Sequence, residues 1–360
     1  MPLTQNALKW GVIGCGLISH DFVKSLNSCE HAHKVVAVAE DNVTGAENFK
    51  KKLDLTDEVK AYGSFQELFE DPNVEVVYVG IVNFLHFKMT MEALEHGKHV
   101  LCEKPLGMNT KQVKEMIEKA KEKKVFLMEA CFSRFFPVWR ALKEQLNNKT
   151  LGETTSIHAN MANHSYTDMP NRFRLRPGVT LLDTGAIPLM DFGLYTIMFA
   201  LFVFNDEKPK KVSVAGEKNE EGVDVWGNIT LEFSNNKKAA LFYSRADIFP
   251  NNAYIGCTKG HVIVPEFRSP DHMEIIRGRS CASAVEEELI EVVQLPYEDD
   301  QTYNFLGSSG LRYEADHVYE SIRNGKLESD NVTHKFSLTI AEILEEIRRQ
   351  LGVVLPQDKE

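Results

Sequence analysis

The first 130 residues alternate short, mainly apolar runs with amphipathic stretches. Leu8–Ile13, Val35–Ala39, Val76–Val79, His99–Leu101 and Val125–Met128 are the apolar runs. Continuous apolarity over so short a span predicts strands buried on both faces. Between them lie helical patterns: about Ile18 to Ser28, Phe87 to Glu95, and Val113, Met116, Ile117 and Ala120 spaced on one face among lysines and glutamates. Ser64-x-x-Glu67 reads as a capping box opening a further helix, which Asp71-Pro72-Asn73 ends. Strands alternating with helices predict a doubly wound parallel sheet, a Rossmann arrangement of α/β class.

After about Phe132 the pattern changes. Ser156–Ala162, Val212–Ala215, Val225–Phe233, Ala239–Tyr243 and His261–Val264 read as strands joined by short turns, with few helices between. Two helices are predicted near the end, about Tyr313–Arg323 and Phe336–Leu351. The expectation is an open, mainly antiparallel sheet with helices on one face, an α+β domain. The boundaries are then 1–132 and 133–360.

Length agrees, since 360 residues at roughly 150 per domain is two domains. Apolar residues at 43% and charged residues at 26% suit a packed globular chain. Lys plus Arg at 41 against Asp plus Glu at 52 gives −11, which disfavours nucleic acid or an anionic membrane as a partner. Cys15, Cys29, Cys102, Cys131, Cys257 and Cys281 contain no CxxC pair and no metal spacing. They read as free thiols in a reducing compartment, with no metal expected. The opening MPLTQNALKWGVIG reads without a secretory signal, and a cytoplasmic location is expected. Ile187 to Phe204 is the most apolar stretch, but Pro188, Asp191 and Gly193 interrupt it, so it reads as a buried helix.

Gly11-x-x-Gly14-Cys15-Gly16-Leu17-Ile18-Ser19 lies between a predicted strand and a predicted helix. Glycines there permit a tight turn and close approach of a pyrophosphate, and the helix N-terminus offers unpaired N–H groups. A purely structural turn would use the same residues, yet strand and helix both stand where a dinucleotide needs them. Gly14, Gly16, Leu17 and Ile18 are the candidate phosphate cradle, with small Ser19 in place of the third glycine. Glu40 and Asp41 close the second strand, where an acid accepts hydrogen bonds from the adenosine ribose. A carboxylate repels a 2′-phosphate, and no arginine lies between Glu40 and Lys50, so local charge favours NAD over NADP. Asp41 capping the next helix is the plainer alternative.

Gly97-Lys98-His99-Val100-Leu101-Cys102-Glu103-Lys104-Pro105 puts Lys104 at the carboxyl end of a strand, the edge where ligands bind in such sheets. The glycine turn, Val82-Asn83-x-x-His86 and Glu103-Lys104-Pro105 together resemble the Gfo/Idh/MocA oxidoreductases. WGVIGCGLISHDF, KAYGSFQELFEDPNVEVVYVG, VLCEKPLG, FLMEACFSRFFP and AEILEEIRRQLGV further resemble that family's dimeric dihydrodiol dehydrogenase subgroup. The resemblance implies a two-domain, nicotinamide-dependent homodimer oxidising trans-dihydrodiols of benzene, or D-xylose to its lactone, with NADP. It departs here at Asp41 and Gly45, where NADP-using members carry arginines.

The resemblance also implies catalytic roles. Lys104 matches the lysine of the subgroup, and Asp191-Phe192-Gly193-Leu194-Tyr195 matches its Asp-x-Gly-x-Tyr segment. Tyr195 would be the general acid/base and Lys104 its partner. A phenol ordinarily titrates near 10, and an ammonium within about 4–6 Å lowers that by 1–3 units. Asp191 would contact substrate hydroxyls or hold Lys104, and Asn83, His86, Glu103 and Lys104 would lie on the cofactor side. His86 and Asn83 also suit a helix cap or turn, and Arg134-Phe135-Phe136-Pro137 suits either a cleft lining or core packing. Leu182-Asp183-Thr184-Gly185-Ala186-Ile187 repeats the aspartate pattern eight residues earlier, with Ile187 where the tyrosine should be. Two rivals use the same fold: a cofactor-binding regulator or sensor, and a glycosidase using NAD transiently.

Overall fold

The computed structural model describes residues 6–164, 179–278, 288–295, 297 and 302–359. Cys281 and most of the loop from His164 to Arg176 lie outside them. The chain divides into two compact units, 1–135 with 297–338, and 136–296 with 339–360. The first boundary falls three residues from the expected one, but Tyr297–Leu338 returns to the first unit, so the second is not one continuous stretch.

The first unit holds β1 (Leu8–Ile13), α1 (Leu17–Ser25), β2 (His33–Ala39), α2 (Val43–Lys52), β3 (Lys60–Tyr62), α3 (Phe65–Glu70), β4 (Val76–Val79), α4 (Asn83–Glu95), β5 (His99–Glu103), α5 (Thr110–Lys123) and β6 (Leu127–Ala130). The six strands lie in the order β3-β2-β1-β4-β5-β6, all parallel. The order reverses between β1 and β4, which makes a crevice at their carboxyl ends. Continuous apolar runs became strands because helices cover both faces of such a sheet. Short, half-buried β3 and lysine-rich α2 gave too weak a period to read. Ser64 stands at the N-cap of α3 but its side chain makes no cap hydrogen bond, so the capping box is not formed.

Trp10, Phe22 and Tyr78 form an aromatic stack in this unit, with Phe22 and Tyr78 parallel at 3.8 Å between centroids and Trp10 edge-on to Phe22 at 4.9 Å. Burying such rings contributes about 1.5–3 kcal/mol each. The returning segment carries α9 (Leu311–Arg323), preceded by a loop held on α1. Asp21, fully buried, accepts the Asn304 main-chain N–H at 2.9 Å and its side-chain amide at 2.6 Å.

The second unit opens with α6 (Pro137–Asn147), which the sequence reading missed. Its remaining elements are β7 (Thr154–Ala162), α7 (Leu181–Thr184), α8 (Leu194–Val203), β8 (Lys211–Lys218), β9 (Asp224–Glu232), β10 (Lys238–Ser244), β11 (Ala253–Cys257), β12 (Gly260–Val264), β13 (His272–Arg277) and β14 (Glu288–Gln294). Helix α10 (His334–Leu351) follows near the chain end. The strands lie in the order β14-β13-β12-β11-β7-β10-β9-β8, antiparallel except for β7 beside β10. Trp139 packs on Phe199 and Phe202 at 5.1 and 4.7 Å and donates its indole N–H to the Phe267 carbonyl at 2.8 Å.

Leu181–Val203 is apolar and long enough to cross a membrane by length and composition, but 94% of its apolar window is buried in the protein. It is a core segment of this unit, as the interrupting proline, aspartate and glycine suggested.

Candidate active site

The glycine turn is built as the dinucleotide reading requires. Gly14 has φ +82°, and a Cβ there would lie 2.4 Å from the Ile81 side chain and 2.6 Å from the Gly80 carbonyl. Only glycine fits. Gly16 is the N-cap of α1, exposed, with no side chain capping the helix and open space where a Cβ would stand. Leu17 and Ile18 are half-buried in the first turn. Buried Ser19 bonds the Gly80 carbonyl at 3.2 Å, so the third position of the motif ties α1 to the end of β4. The first-turn N–H groups therefore face outward at the positive end of the helix.

Glu40 is fixed at the end of β2. One carboxylate oxygen accepts the Cys15 N–H at 2.8 Å and the other the Asp41 N–H at 3.0 Å. Burial, then the charge of Glu40, pushes the Cys15 thiol up to about 12, so it is not a nucleophile. Asp41 is exposed and accepts from the Asn42 amide at 2.6 Å. Asn42, not Asp41, caps α2, its side-chain oxygen taking the Gly45 N–H at 2.8 Å. The open Gly16 cradle, the uncapped helix and the anchored carboxylate fit a dinucleotide.

Asn83 opens α4. His86 is fully buried one turn later, with Nδ1 2.7 Å from the Pro105 carbonyl and Nε2 3.1 Å from the Ile81 carbonyl. A neutral imidazole has one N–H for these two acceptors, and burial lowers its pKa. The neutral ring can donate to only one of these carbonyls, and both ring nitrogens face protein carbonyls. His86 ties the loop after β4 to the lysine loop, and any effect on a cofactor passes through those loops.

Lys104 follows the last residue of β5, half-buried at the carboxyl edge of the sheet. Glu103 accepts the Tyr78 hydroxyl at 2.5 Å and the Lys104 N–H at 3.3 Å. Burial pushes its carboxyl above the ordinary range, against the pull of Tyr78 and Lys104. Glu129 accepts the Leu106 N–H at 2.9 Å and is likewise raised by burial. Glu103 is therefore a buried support beneath the lysine loop. Arg134 and Phe135 are buried too, the Arg134 guanidinium lying 4.2 Å from the Phe336 ring centroid. That segment packs in a core.

In the second unit, Asp191 lies in a π-helical turn, Leu189–Gly193, that runs directly into α8. Such turns recur at functional sites. Gly193 makes this one possible: a Cβ there would meet Leu189 at 2.8 Å and Tyr243 at 3.1 Å. Tyr195, 6% exposed, is the second residue of α8, and the Arg268 guanidinium stands 5.9 Å from its ring centroid. Arg245 pairs with Asp191 at 3.7 Å and donates to the Ala186 carbonyl at 3.0 Å. The sequence reading missed Arg245 and Arg268, because each follows a strand or loop with no motif around it.

The repeated pattern has a separate structural job. Asp183 accepts the Thr180 N–H at 2.7 Å and its hydroxyl at 2.8 Å, forming a capping box on α7 that Gly185 closes at φ +69°. Those bonds hold the Asp183 carboxyl below its usual range. Ile187 is fully buried.

Among the described residues, Cys29, His33 and Asp316 are grouped so that a ligating atom of each lies within 4.8 Å of the others. Spacing in the sequence hid this trio because Asp316 comes from the returning segment. The Trp10 indole donates to His33 Nδ1 at 3.0 Å, which places the ring proton on Nε2, 3.2 Å from Asp316. In that tautomer the ring's one available lone pair, on Nδ1, is already taken by the Trp10 indole.

Comparison with known proteins meets this geometry at both units. Residues 8–131 match the model of an oxidoreductase family with an NAD-binding Rossmann fold, and residues 139–263 match the GFO/IDH/MocA C-terminal domain. The chain belongs to the Gfo/Idh/MocA oxidoreductase family. This family member is 37% identical over 354 residues to trans-1,2-dihydrobenzene-1,2-diol dehydrogenase of Mus musculus, covering 98% of this chain and 99% of that one. The Homo sapiens protein of the same name is 36% identical over 356 residues, again 98% and 99%.

Solved structures of the same fold include KijD10, a 3-ketoreductase from Actinomadura kijaniata in complex with TDP-benzene and NADP. Its TM-score is 0.75 at 22% identity, over 95% of this chain and 97% of that one. Levoglucosan dehydrogenase with NADH and levoglucosan gives 0.80 at 17% identity, over 96% and 97%. This Gfo/Idh/MocA member is an NAD(P)-dependent oxidoreductase, close to the dihydrodiol dehydrogenases.

Proposed function

We propose that the protein oxidises a cyclic secondary alcohol, a trans-dihydrodiol or an aldose such as D-xylose, with Tyr195 as general base and Lys104 as its electrostatic partner. The observation that carries this reading is Lys104 at the carboxyl end of β5, in a chain similar over almost its whole length to dihydrodiol dehydrogenases. Gly14, Gly16, the first turn of α1 and Glu40 would hold the dinucleotide. Bound nicotinamide supplies the hydride acceptor. Removing the alcohol proton is the task left to the chain. In this reading Lys104 would hydrogen-bond the substrate oxygen while Tyr195 takes the alcohol proton, and Asp191 would orient a neighbouring hydroxyl. NAD is the preferred cofactor in this reading, because Glu40 is pinned where a 2′-phosphate would meet it.

The test is appearance of reduced-nicotinamide absorbance when the purified protein meets NAD or NADP with D-xylose or a benzene dihydrodiol. Lys104→Met and Tyr195→Phe should each lower kcat by about 10²–10⁴-fold, while fluorescence titration still reports cofactor binding. Full turnover in either variant removes that residue from the mechanism. Glycoside cleavage without net cofactor reduction, or cofactor-dependent partner binding without turnover, would replace the dehydrogenase reading with one of its rivals.

A further inference from the structure

The Asp191–Tyr195 turn is held from behind by a residue that no motif marks. Arg245 follows the last residue of β10, and its backbone N–H continues the ladder to the Val225 carbonyl at 2.9 Å. This sets it beside Asp224, the first residue of β9. Its side chain is only 14% exposed, a rare placement for arginine. From there the guanidinium reaches the Ala186 carbonyl at 3.0 Å and the Asp191 carboxylate at 3.7 Å. Asp224, 1% exposed, takes the Leu189 N–H at 2.8 Å. Arginine and aspartate thus grip the start and the middle of the π turn, and Arg245 also holds Ala186 just ahead of it.

We propose that Arg245 is a positioning residue for the alcohol: it fixes Asp191, through the π turn, in the orientation that binds a substrate hydroxyl. This deepens the proposed function and rests on Asp191 contacting substrate. Both contacts come from one guanidinium nitrogen, Nη2, and a guanidinium is more weakly hydrated than an ammonium, which suits so buried a position. The groups facing the clamp are Asp191 on the π turn, Asp224 on β9 and Tyr243 on β10. Burial pushes the Asp224 carboxyl up to about 6, while the Leu189 N–H, Tyr243 and Arg245 oppose the rise. Removing the cation moves it further up, so on acidification the carboxylate that holds Leu189 is protonated sooner than in the wild type.

The test uses Arg245→Met and Arg245→Lys in the full chain. For Arg245→Met, the alcohol KM should rise about tenfold or more with kcat within threefold and the dissociation constant for NAD unchanged. The acidic limb of kcat/KM should move up by about one pH unit. Arg245→Lys should recover part of the KM. Hydrogen exchange supplies a readout independent of turnover: the Leu189 and Asp191 amides should exchange at least tenfold faster in Arg245→Met, with β9 and β10 unchanged. If the wild-type oxidises no alcohol, the proposed function fails while exchange still tests the clamp. Unchanged exchange overturns the clamp. Faster exchange with an unmoved KM and pH limb overturns the substrate role. Should Arg245→Met not fold, Arg245→Lys and Asp191→Asn carry the same comparison, and an unmoved KM in both overturns the proposal.

Discussion

In the proposed reading Glu40, at the end of β2, sets a preference for NAD, and substitutions there should reverse it. Glu40 accepts two backbone N–H groups, from Cys15 and Asp41, so its charge cannot swing away from an adenosine 2′-substituent. Two unit charges 4 Å apart interact by about 1 kcal/mol in water and about 4 kcal/mol at an effective dielectric of 20. Glu40 is half-buried, so a penalty of about 1–3 kcal/mol for a 2′-phosphate is reasonable, roughly a 5- to 150-fold preference for NAD. Replacing Gly45 with arginine is a poor route to NADP, because its Cβ would fall 2.9 Å from Glu40 Cγ. Asp41→Arg is open to solvent and should improve NADP binding about tenfold alone. Glu40→Ala with Asp41→Arg should improve it further and invert the preference. Equilibrium fluorescence titration of both cofactors on each variant reads this directly. A wild-type protein binding NADP tighter than NAD, or a ratio unmoved by Glu40→Ala, would refute the reasoning.

Three further outcomes are expected. Gly14→Ala puts a methyl against the Ile81 side chain and the Gly80 carbonyl at a positive φ; it should abolish cofactor binding and lower Tm, measured by titration and thermal melting. Asp71, buried, is pushed up by burial but held down to about 2 by the Asn73 N–H, Lys60 and Tyr62. Its folded value is depressed, so its contribution is present above about pH 4 and lost as pH falls towards 2. Allowing for screening at the half-exposed Lys60 amine, Asp71→Asn should cost about 1–2 kcal/mol at pH 7, a difference that vanishes near pH 2 in denaturant titrations. Asp183→Asn should lower Tm without moving the alcohol KM, whereas Asp191→Asn should raise KM about tenfold or more; equal kinetic effects would mean both registers serve the site.

The first unit was legible because its strands carry their own signal. Val76–Val79 and Leu8–Ile13 are buried along their whole length or nearly so, and a helix-covered parallel sheet demands that composition. The glycine turn was legible for a related reason, since Gly14 occupies a conformation that other residues avoid. What escaped depends on residues distant in sequence. The return of Tyr297–Leu338 to the first unit rests on Asp21 binding Asn304, and the Cys29, His33 and Asp316 trio rests on the same return. Helix α6 and strands β11, β13 and β14 were missed because flanking polar residues diluted their periods. Arg245 escaped because its meaning lies in which carbonyl and which carboxylate the fold sets beside it.

The repeated aspartate pattern shows how a segment can copy a site motif without making a second site. A short helical turn leaves its own polar ends to satisfy. Thr180, Asp183 and Gly185 do so locally, as N-cap, capping-box partner and left-handed C-cap. The first aspartate is therefore consumed by its own backbone, and Ile187 faces the core with no polar atom. Ala186, two residues past α7, gives its carbonyl to Arg245, and Arg245 also holds Asp191. One guanidinium thus anchors the capped turn and the π turn together. The π turn leading to Tyr195 therefore starts from a fixed point.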